Sequence, residues 1–180
     1  MRVLVFIPAR GGSKGIPGKN LILLNGSPLL KYTLDTAKKL QGTLSEGIEW
    51  FTFVSSDDAS IIDYCNDQDV GTSYVRPKEF SQDDSPVVDA ILDAVAWLKS
   101  NKSFEPDFVL TLQPTSPYRR VTEITEALQF LKKEGILSLA TITSMKEHPF
   151  ECIELRDGSW EYLKASSLKT AGRQTYRDDF

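Results

Sequence analysis

The feature that most constrains the fold is a short apolar run at residues 3–8 (VLVFIP) that stops abruptly in the loop ARGGSKGIPGKN at residues 9–20. A run so short and so apolar suits a parallel strand buried on both faces. The loop behind it carries four glycines, Gly11, Gly12, Gly15 and Gly18, and three cations, Arg10, Lys14 and Lys19. Missing Cβ atoms let backbone N–H groups come close to an anion, and the cations neutralise it. Pro8 and Pro17 stiffen the turn. The combination points to a polyphosphate held at the end of a strand. Two well-known phosphate loops do not fit. Ser13 stands where a Walker A loop needs its first glycine, and Asn20 replaces the magnesium-binding hydroxyl. The glycine spacing is also not G-x-G-x-x-G.

Beyond the loop, strand and helix patterns alternate. Residues 28–40 read as a helix with Leu30, Leu34 and Ala37 on one face, and residues 50–55 as a second strand. Ser55-Ser56-Asp57-Asp58 offers caps for a helix carrying Ile61, Ile62 and Cys65. Residues 72–75 read as a third strand and 76–84 as a polar loop, with Asp83 and Asp84 as solvated charges. Ser85 at N-cap and Pro86 at N1 then open a helix built on Val88, Ile91, Leu92, Val95 and Leu98. Residues 108–112 are a fourth strand buried on both faces, 122–133 an amphipathic helix, and 137–143 a fifth strand. After residue 145 the texture changes: residues 150–156 and 160–163 flank Asp157-Gly158, a strong hairpin signal. The remainder is polar and without period.

Strands separated by helices imply right-handed crossovers and a three-layer, mostly parallel α/β fold of Rossmann-like type. Residues 1–145 would form the ligand-binding core, and residues 146–180 a hairpin and an arm that covers a substrate, joins an oligomer contact or is a disordered end. Ligands of such sheets bind at the carboxyl ends of the strands. The loops at 9–20, 55–58, 76–85 and 113–118 should therefore converge on one edge.

Composition narrows the ligand. A net charge of −4 argues against a generic nucleic-acid binder, so the cations near the N-terminus are a local feature that suits a small anion. No apolar run approaches the ~20 residues of a membrane span, and no signal-peptide pattern precedes the first strand. A cytoplasmic protein is expected. Cys65 and Cys152 lack metal-site spacing.

The run Ala9, Arg10, Ser13, Lys14, Gly15, Pro17, Lys19 and Asn20 resembles the A-R-x-x-S-K-G-x-P-x-K-N signature of the acylneuraminate cytidylyltransferases, the CMP-sialic acid synthetase family. Leu112-Gln113-Pro114-Thr115-Ser116-Pro117 is similar to that family's L-Q-P-T-S-P motif beside the acceptor sugar. Arg76-Pro77 matches its Arg-Pro, where a planar guanidinium faces the pyrimidine. Arg173-Gln174 resembles a pair on the sugar's carboxylate side, and His148-Pro149 has a weaker echo. One departure is Val87, where a hydroxyl residue is common.

The resemblance implies transfer of CMP from CTP to the anomeric hydroxyl of a sialic-acid-like nonulosonic acid, with release of pyrophosphate. It implies catalytic charge stabilisation by Arg10, Lys14 and Lys19. Nucleotide contacts would come from Ala9, Gly11, Gly12, Ser13, Asn20, Arg76 and Ser85. The sugar would meet Gln113, Pro114, Thr115, Ser116, Arg173 and Gln174. It also implies Mg²⁺ and a homodimer. The family's metal-binding D-x-D lies beyond the Arg-Gln pair, past Phe180, so no metal ligand is expected within these residues, and Asp178-Asp179 are not substitutes. A Kdo-type cytidylyltransferase is the nearest alternative, although Gln113 favours the acylneuraminate branch. A CTP-binding module without turnover is the alternative from another class.

Overall fold

The structure is a computed structural model that describes residues 1–13, 15–43, 47–71 and 73–141, together with the hairpin strands at 153–156 and 159–162. Lys14, His148, Cys152, Arg173, Gln174 and the stretch 163–180 lie outside the described residues. The chain divides into two compact units, Met1–Glu134 and Gly135–Phe180, so the division falls after Glu134 where the sequence reading puts it after residue 145.

The first unit is built on β1 (Arg2–Pro8), paired in parallel with β4 (Glu49–Ser55) on one side and β5 (Phe108–Thr111) on the other. Strands β2 (Leu23–Leu24) and β3 (Ser27–Pro28) form a small antiparallel pair before α1 (Leu29–Thr43). Helix α2 spans Ala59–Asp67, α3 Val87–Lys102 and α4 Val121–Glu134. The alternation of β1 distributes its side chains between two cores. Val5 and Ile7 meet Leu30, Leu34, Ala37 and Leu40 of α1 and Ile61 and Cys65 of α2, with Val121 and Ile124 of α4 alongside. Leu4 and Phe6 turn the other way and meet Phe53, Tyr74 and the Ala90, Ala94 and Leu98 stripe of α3. Phe6 and Phe53 are fully buried, and each such side chain stabilises the fold by about 1.5–3 kcal/mol. Three layers result, as the strand–helix alternation implies.

Four expectations are corrected. No strand occupies residues 73–75: Tyr74 is drawn into the aromatic cluster of Phe53 and Trp97, and Arg76 makes a single backbone bond, N to Ser56 O at 2.8 Å, past the end of β4. Residues 137–141 carry no ladder either, and Leu137 is exposed, since an apolar run becomes a strand only beside a neighbour. Strand β5 is not buried on both faces: Leu110 packs against the core that holds Val5 and Ile7, while Val109 and Thr111, on the sheet face of Leu4 and Phe6, are exposed. Finally, α3 packs through Ala90, Ala94 and Leu98 with Ile91 and Val95 alongside, so the expected face holds at Ile91, Val95 and Leu98, while Val88 and Leu92 are exposed.

In the second unit, β6 (Ile153–Arg156) and β7 (Ser159–Tyr162) pair antiparallel, with Arg156 opposite Ser159 across the two positions 157 and 158. That is the hairpin the Asp-Gly signal predicts, with shorter strands.

Candidate functional site

The carboxyl end of the sheet opens into a cleft of about 390 Å³. Three loops line it: Arg10, Ser13, Gly15, Lys19 and Asn20 after β1; Arg76, Phe80, Gln82, Asp83, Ser85 and Val87 between α2 and α3; and Gln113, Pro114 and Thr115 after β5. The loop at 55–58 lies beneath them and holds the first two in place.

The loop after β1 is fastened at several points. Asn20 is 6% exposed and donates its side-chain amide to the Arg10 carbonyl at 2.9 Å, so it braces the loop besides lining the cleft. Gly18 adopts φ 63° to start the short 3-10 turn Lys19–Leu21, a conformation that costs a residue with a Cβ about 1–2 kcal/mol. At Gly11 the constraint is space: a Cβ there would come within 2.8 Å of the Asp58 Cβ. Its N–H donates to Asp57 Oδ1 at 2.9 Å, which removes it from the supply of phosphate donors. Thus only Asp58 caps α2, accepting from Ser60 N and Ile61 N, while Asp57 ties down the loop. Ala9 is fully buried and its N–H goes to the Ser55 carbonyl at 2.9 Å, so neither its side chain nor its amide donor faces a ligand.

The two arginines of the cleft differ. Arg10 donates to Asp83 Oδ1 at 2.6 Å and to the Ser81 carbonyl at 3.2 Å. Asp83 is therefore an ion-pair partner and not a solvated charge. Arg76 is 5% exposed and gives Nε–H to Ser55 Oγ at 2.8 Å and Nη2–H to the Ser55 carbonyl at 2.6 Å. Burial pushes its guanidinium down from the ordinary value, yet an arginine keeps its charge in any protein setting. Two of its five N–H donors are engaged, leaving three without a protein acceptor among the described residues. A buried cation with open donors beside a cleft is a strong demand for a ligand's oxygen or nitrogen acceptors.

Ser85 is at the cleft, but not as a helix cap. The N-cap of α3 is Pro86, and the Ser85 hydroxyl donates to the Glu79 carbonyl at 2.7 Å and accepts from Gln82 N at 3.2 Å. Pro86 keeps an extended ψ of 136°, which delays the helix by one residue and leaves the serine to close the loop. After β5, Arg119 donates to the Gln113 carbonyl and to Thr33 Oγ1, pinning the loop that presents the Gln113 side chain. Burial lowers the Arg119 pKa as well. Gly12 and Ser116 do not line the cleft. The Cys65 thiol, pushed up to about 11 by burial in the core, is no nucleophile at neutral pH.

Sequence reasoning missed Ser55, Asp83 and Arg119 as site residues. Ser55 had a signal, since the last residue of a strand borders the ligand edge of a parallel sheet. Asp83 and Arg119 had none, because their partners are distant in sequence. Asp83 is the one carboxylate among the described residues that line the cleft, and no group of three or more His, Cys, Asp or Glu among the described residues could hold a metal ion. Among the described residues no helix is long and apolar enough to cross a membrane.

Comparison with known proteins accords with this geometry. A CMP-N,N'-diacetyllegionaminic acid synthase of Legionella pneumophila is 35% identical over 84% of this chain and 62% of its own length. An N-acylneuraminate cytidylyltransferase of Streptococcus agalactiae is 29% identical over 97% of this chain and 40% of its own length. The chain thus spans less than two thirds of either relative. A solved CMP:2-keto-3-deoxy-manno-octonic acid synthetase, complexed with CTP, superposes with a TM-score of 0.58 at 21% identity, covering 75% of this chain and 49% of that one; the likeness shows a shared fold. The family model described as cytidylyltransferase matches residues 4–179. Nearly the whole chain is included in that match, and the chain belongs to the cytidylyltransferase family, as its resemblance to the acylneuraminate cytidylyltransferases implies.

Proposed function

We propose that this chain binds CTP and serves the transfer of its CMP moiety to the anomeric hydroxyl of a sialic-acid-like nonulosonic acid. The observation that carries the reading is the cleft itself, with Arg10 and Lys19 at one loop, the open donors of Arg76 at a second, and Gln113 at a third. In the reaction the hydroxyl oxygen bonds to the α-phosphorus, the bond to the bridging oxygen breaks, and pyrophosphate departs. Such a transfer asks the protein mainly for positioning and for charge stabilisation on the phosphates. Arg10, Lys14 and Lys19 take that second role here. Arg76 faces the pyrimidine, where cytosine offers two neighbouring acceptors, O2 and N3; uracil has a donor at N3 and would oppose one N–H. Gln113, Pro114 and Thr115 face the sugar in this reading, and the sugar-binding role of Arg173 and Gln174, which lie outside the described residues, rests on the resemblance alone.

The relatives' names support this acceptor class, and the motif around Gln113 supports the acylneuraminate type over the Kdo type. A homodimer belongs to the same reading and rests on the resemblance, and a cytoplasmic location rests on the sequence pattern. Magnesium belongs to it too, but no step is derived through the ion.

Two measurements test the proposal. Titration calorimetry should show CTP binding that Arg10→Ala weakens at least about tenfold, the worth of one charge-assisted contact. Pyrophosphate release from CTP should require a nonulosonic acid. Tight CTP binding without release under any acceptor would leave a nucleotide-binding module in its place, and absence of CTP binding would end the reading.

A further inference from the structure

Gly11 answers one problem in the loop after β1 and creates another. It packs so closely on the cap of α2 that a Cβ would come within 2.8 Å of the Asp58 Cβ, so a larger residue forces that cap to shift. Glycine, however, enters both signs of φ at little cost, which leaves the peptide unit in front of it easy to rotate. That unit joins Arg10 to Gly11. Its rotation would redirect the backbone from which the Arg10 side chain leaves.

The unit is held at both ends. Its carbonyl, that of Arg10, accepts from Asn20 Nδ2 at 2.9 Å. Its N–H, that of Gly11, donates to Asp57 Oδ1 at 2.9 Å. Asn20 comes from the 3-10 turn Lys19–Leu21 at the end of the loop, and Asp57 from the residues that follow β4. A peptide unit is planar, so turning this one breaks both hydrogen bonds together, one of them to a carboxylate. The backbone on either side is fixed as well: Ala9 N–H donates to the Ser55 carbonyl at 2.9 Å, and Ser13 N–H to the Gly11 carbonyl at 2.9 Å. Asp57 does not line the cleft, so its effect on a ligand passes through the loop.

We propose that Asp57 and Asn20 are positioning residues that clamp the Arg10–Gly11 peptide unit from its two ends and so fix the point from which Arg10 reaches a phosphate. The clamp gives Asp57 a part in ligand binding from outside the cleft. It also turns the Asn20 amide to the protein's own backbone, where the resemblance gives it to the nucleotide. The consequence for the nucleotide rests on the CTP reading above; the clamping of the peptide unit does not.

The test uses the full 180-residue chain and separates the hydrogen bond of Asp57 from its charge. Asp57→Ala removes both, whereas Asp57→Asn keeps an oxygen that accepts from Gly11 N–H. The first readout is exchange of the Gly11 amide proton with water, which needs no nucleotide. It should accelerate at least about tenfold in Asp57→Ala, the worth of one hydrogen bond to a charged group, and stay slow in Asp57→Asn. Asn20→Ala should accelerate it several-fold too, although Asn20 bonds the other end, because the unit is then held at one end only. The second readout is CTP affinity by calorimetry. Loss of a negative charge by itself favours an anion, so a fall of about three- to tenfold in Asp57→Ala and none in Asp57→Asn marks lost positioning. In an Arg10→Ala background the further cost of Asp57→Ala should stay under about twofold, since the clamp acts through Arg10. Unchanged Gly11 exchange in folded Asp57→Ala overturns the clamp, and full additivity with Arg10→Ala overturns the positioning of Arg10. If the unsubstituted chain binds no CTP, the functional reading falls while the exchange measurement still decides the clamp.

Discussion

Arg10 and Arg76 line the same cleft and are held in opposite ways. Arg10 sits on a loop with about a third of its side chain exposed (31%), paired with an Asp83 carboxylate that is 38% exposed. An ion pair this open contributes only about 0–1 kcal/mol, so an incoming phosphate can take the place of Asp83 at little cost. Arg76 is buried against Ser55, with no carboxylate in hydrogen-bond contact among the described residues, and it lines the cleft. Exchanging its partners would strand a cation in a low-dielectric site. One end of the cleft is thus arranged for exchange and the other for fixed geometry. That division suits a ligand with a flexible, highly charged tail and a flat base whose acceptor pattern must be distinguished.

The largest expected effect separates the two arginines by the same substitution. Arg76→Lys keeps the charge but loses the planar fork, and lysine cannot satisfy Ser55 at two points while presenting donors to a base. CTP affinity should fall by about 10- to 100-fold, the equivalent of roughly 1.5–3 kcal/mol for hydrogen bonds to a charged group. Arg10→Lys should cost less than about threefold at moderate salt, because a point charge neutralises phosphate nearly as well. Titration of both variants with CTP checks the contrast, and equal losses would dissolve it.

A smaller effect is expected at the backbone beneath Arg10. The loop is exchangeable only in its side chain, since Gly11 lies so close to Asp58 that a Cβ would contact the carboxylate that caps α2. Gly11→Ala should cost about 1–2 kcal/mol of stability through the displaced cap. Urea denaturation of the first unit's fluorescence reads it. A silent Gly11→Ala would mean that the loop moves as a whole and that its anchoring by Asp57 and Asp58 is slack.

What the sequence made legible was local or periodic. The strand at residues 3–8, the glycine–cation loop, the buried stripe of α1, the Asp58 cap and the Gln113 turn each announce themselves within a dozen residues. The convergence of loops followed from the rule that parallel sheets bind at their carboxyl ends. The misreadings share a cause: each depended on a partner far along the chain. Residues 72–75 have strand composition, but Tyr74 is claimed by Phe53, Trp97 and Asp93. The α3 face was misread only at Val88 and Leu92, whose places against the aromatic cluster are taken by Ala90 and Ala94. Asp83 looked like loop solvation because its pairing with Arg10 spans 73 positions of sequence.

The smallest expected effect bears on that last pair, and its sign matters more than its size. If Asp83 merely occupies Arg10 until a phosphate arrives, Asp83→Asn removes a competitor and a like charge from the triphosphate end. CTP affinity should then rise by about two- to fivefold, within the ~1 kcal/mol that an exposed pair can hold. Raising the salt should shrink the gain, because the competition is electrostatic and screened over about 10 Å at 0.1 M. A fall in affinity would mean that Asp83 orients Arg10 towards the ligand. Arg10 would then be preorganised by its carboxylate as Arg76 is by Ser55, and the cleft would have two fixed ends. Calorimetry of Asp83→Asn at two salt concentrations distinguishes a displaceable partner from a positioning one.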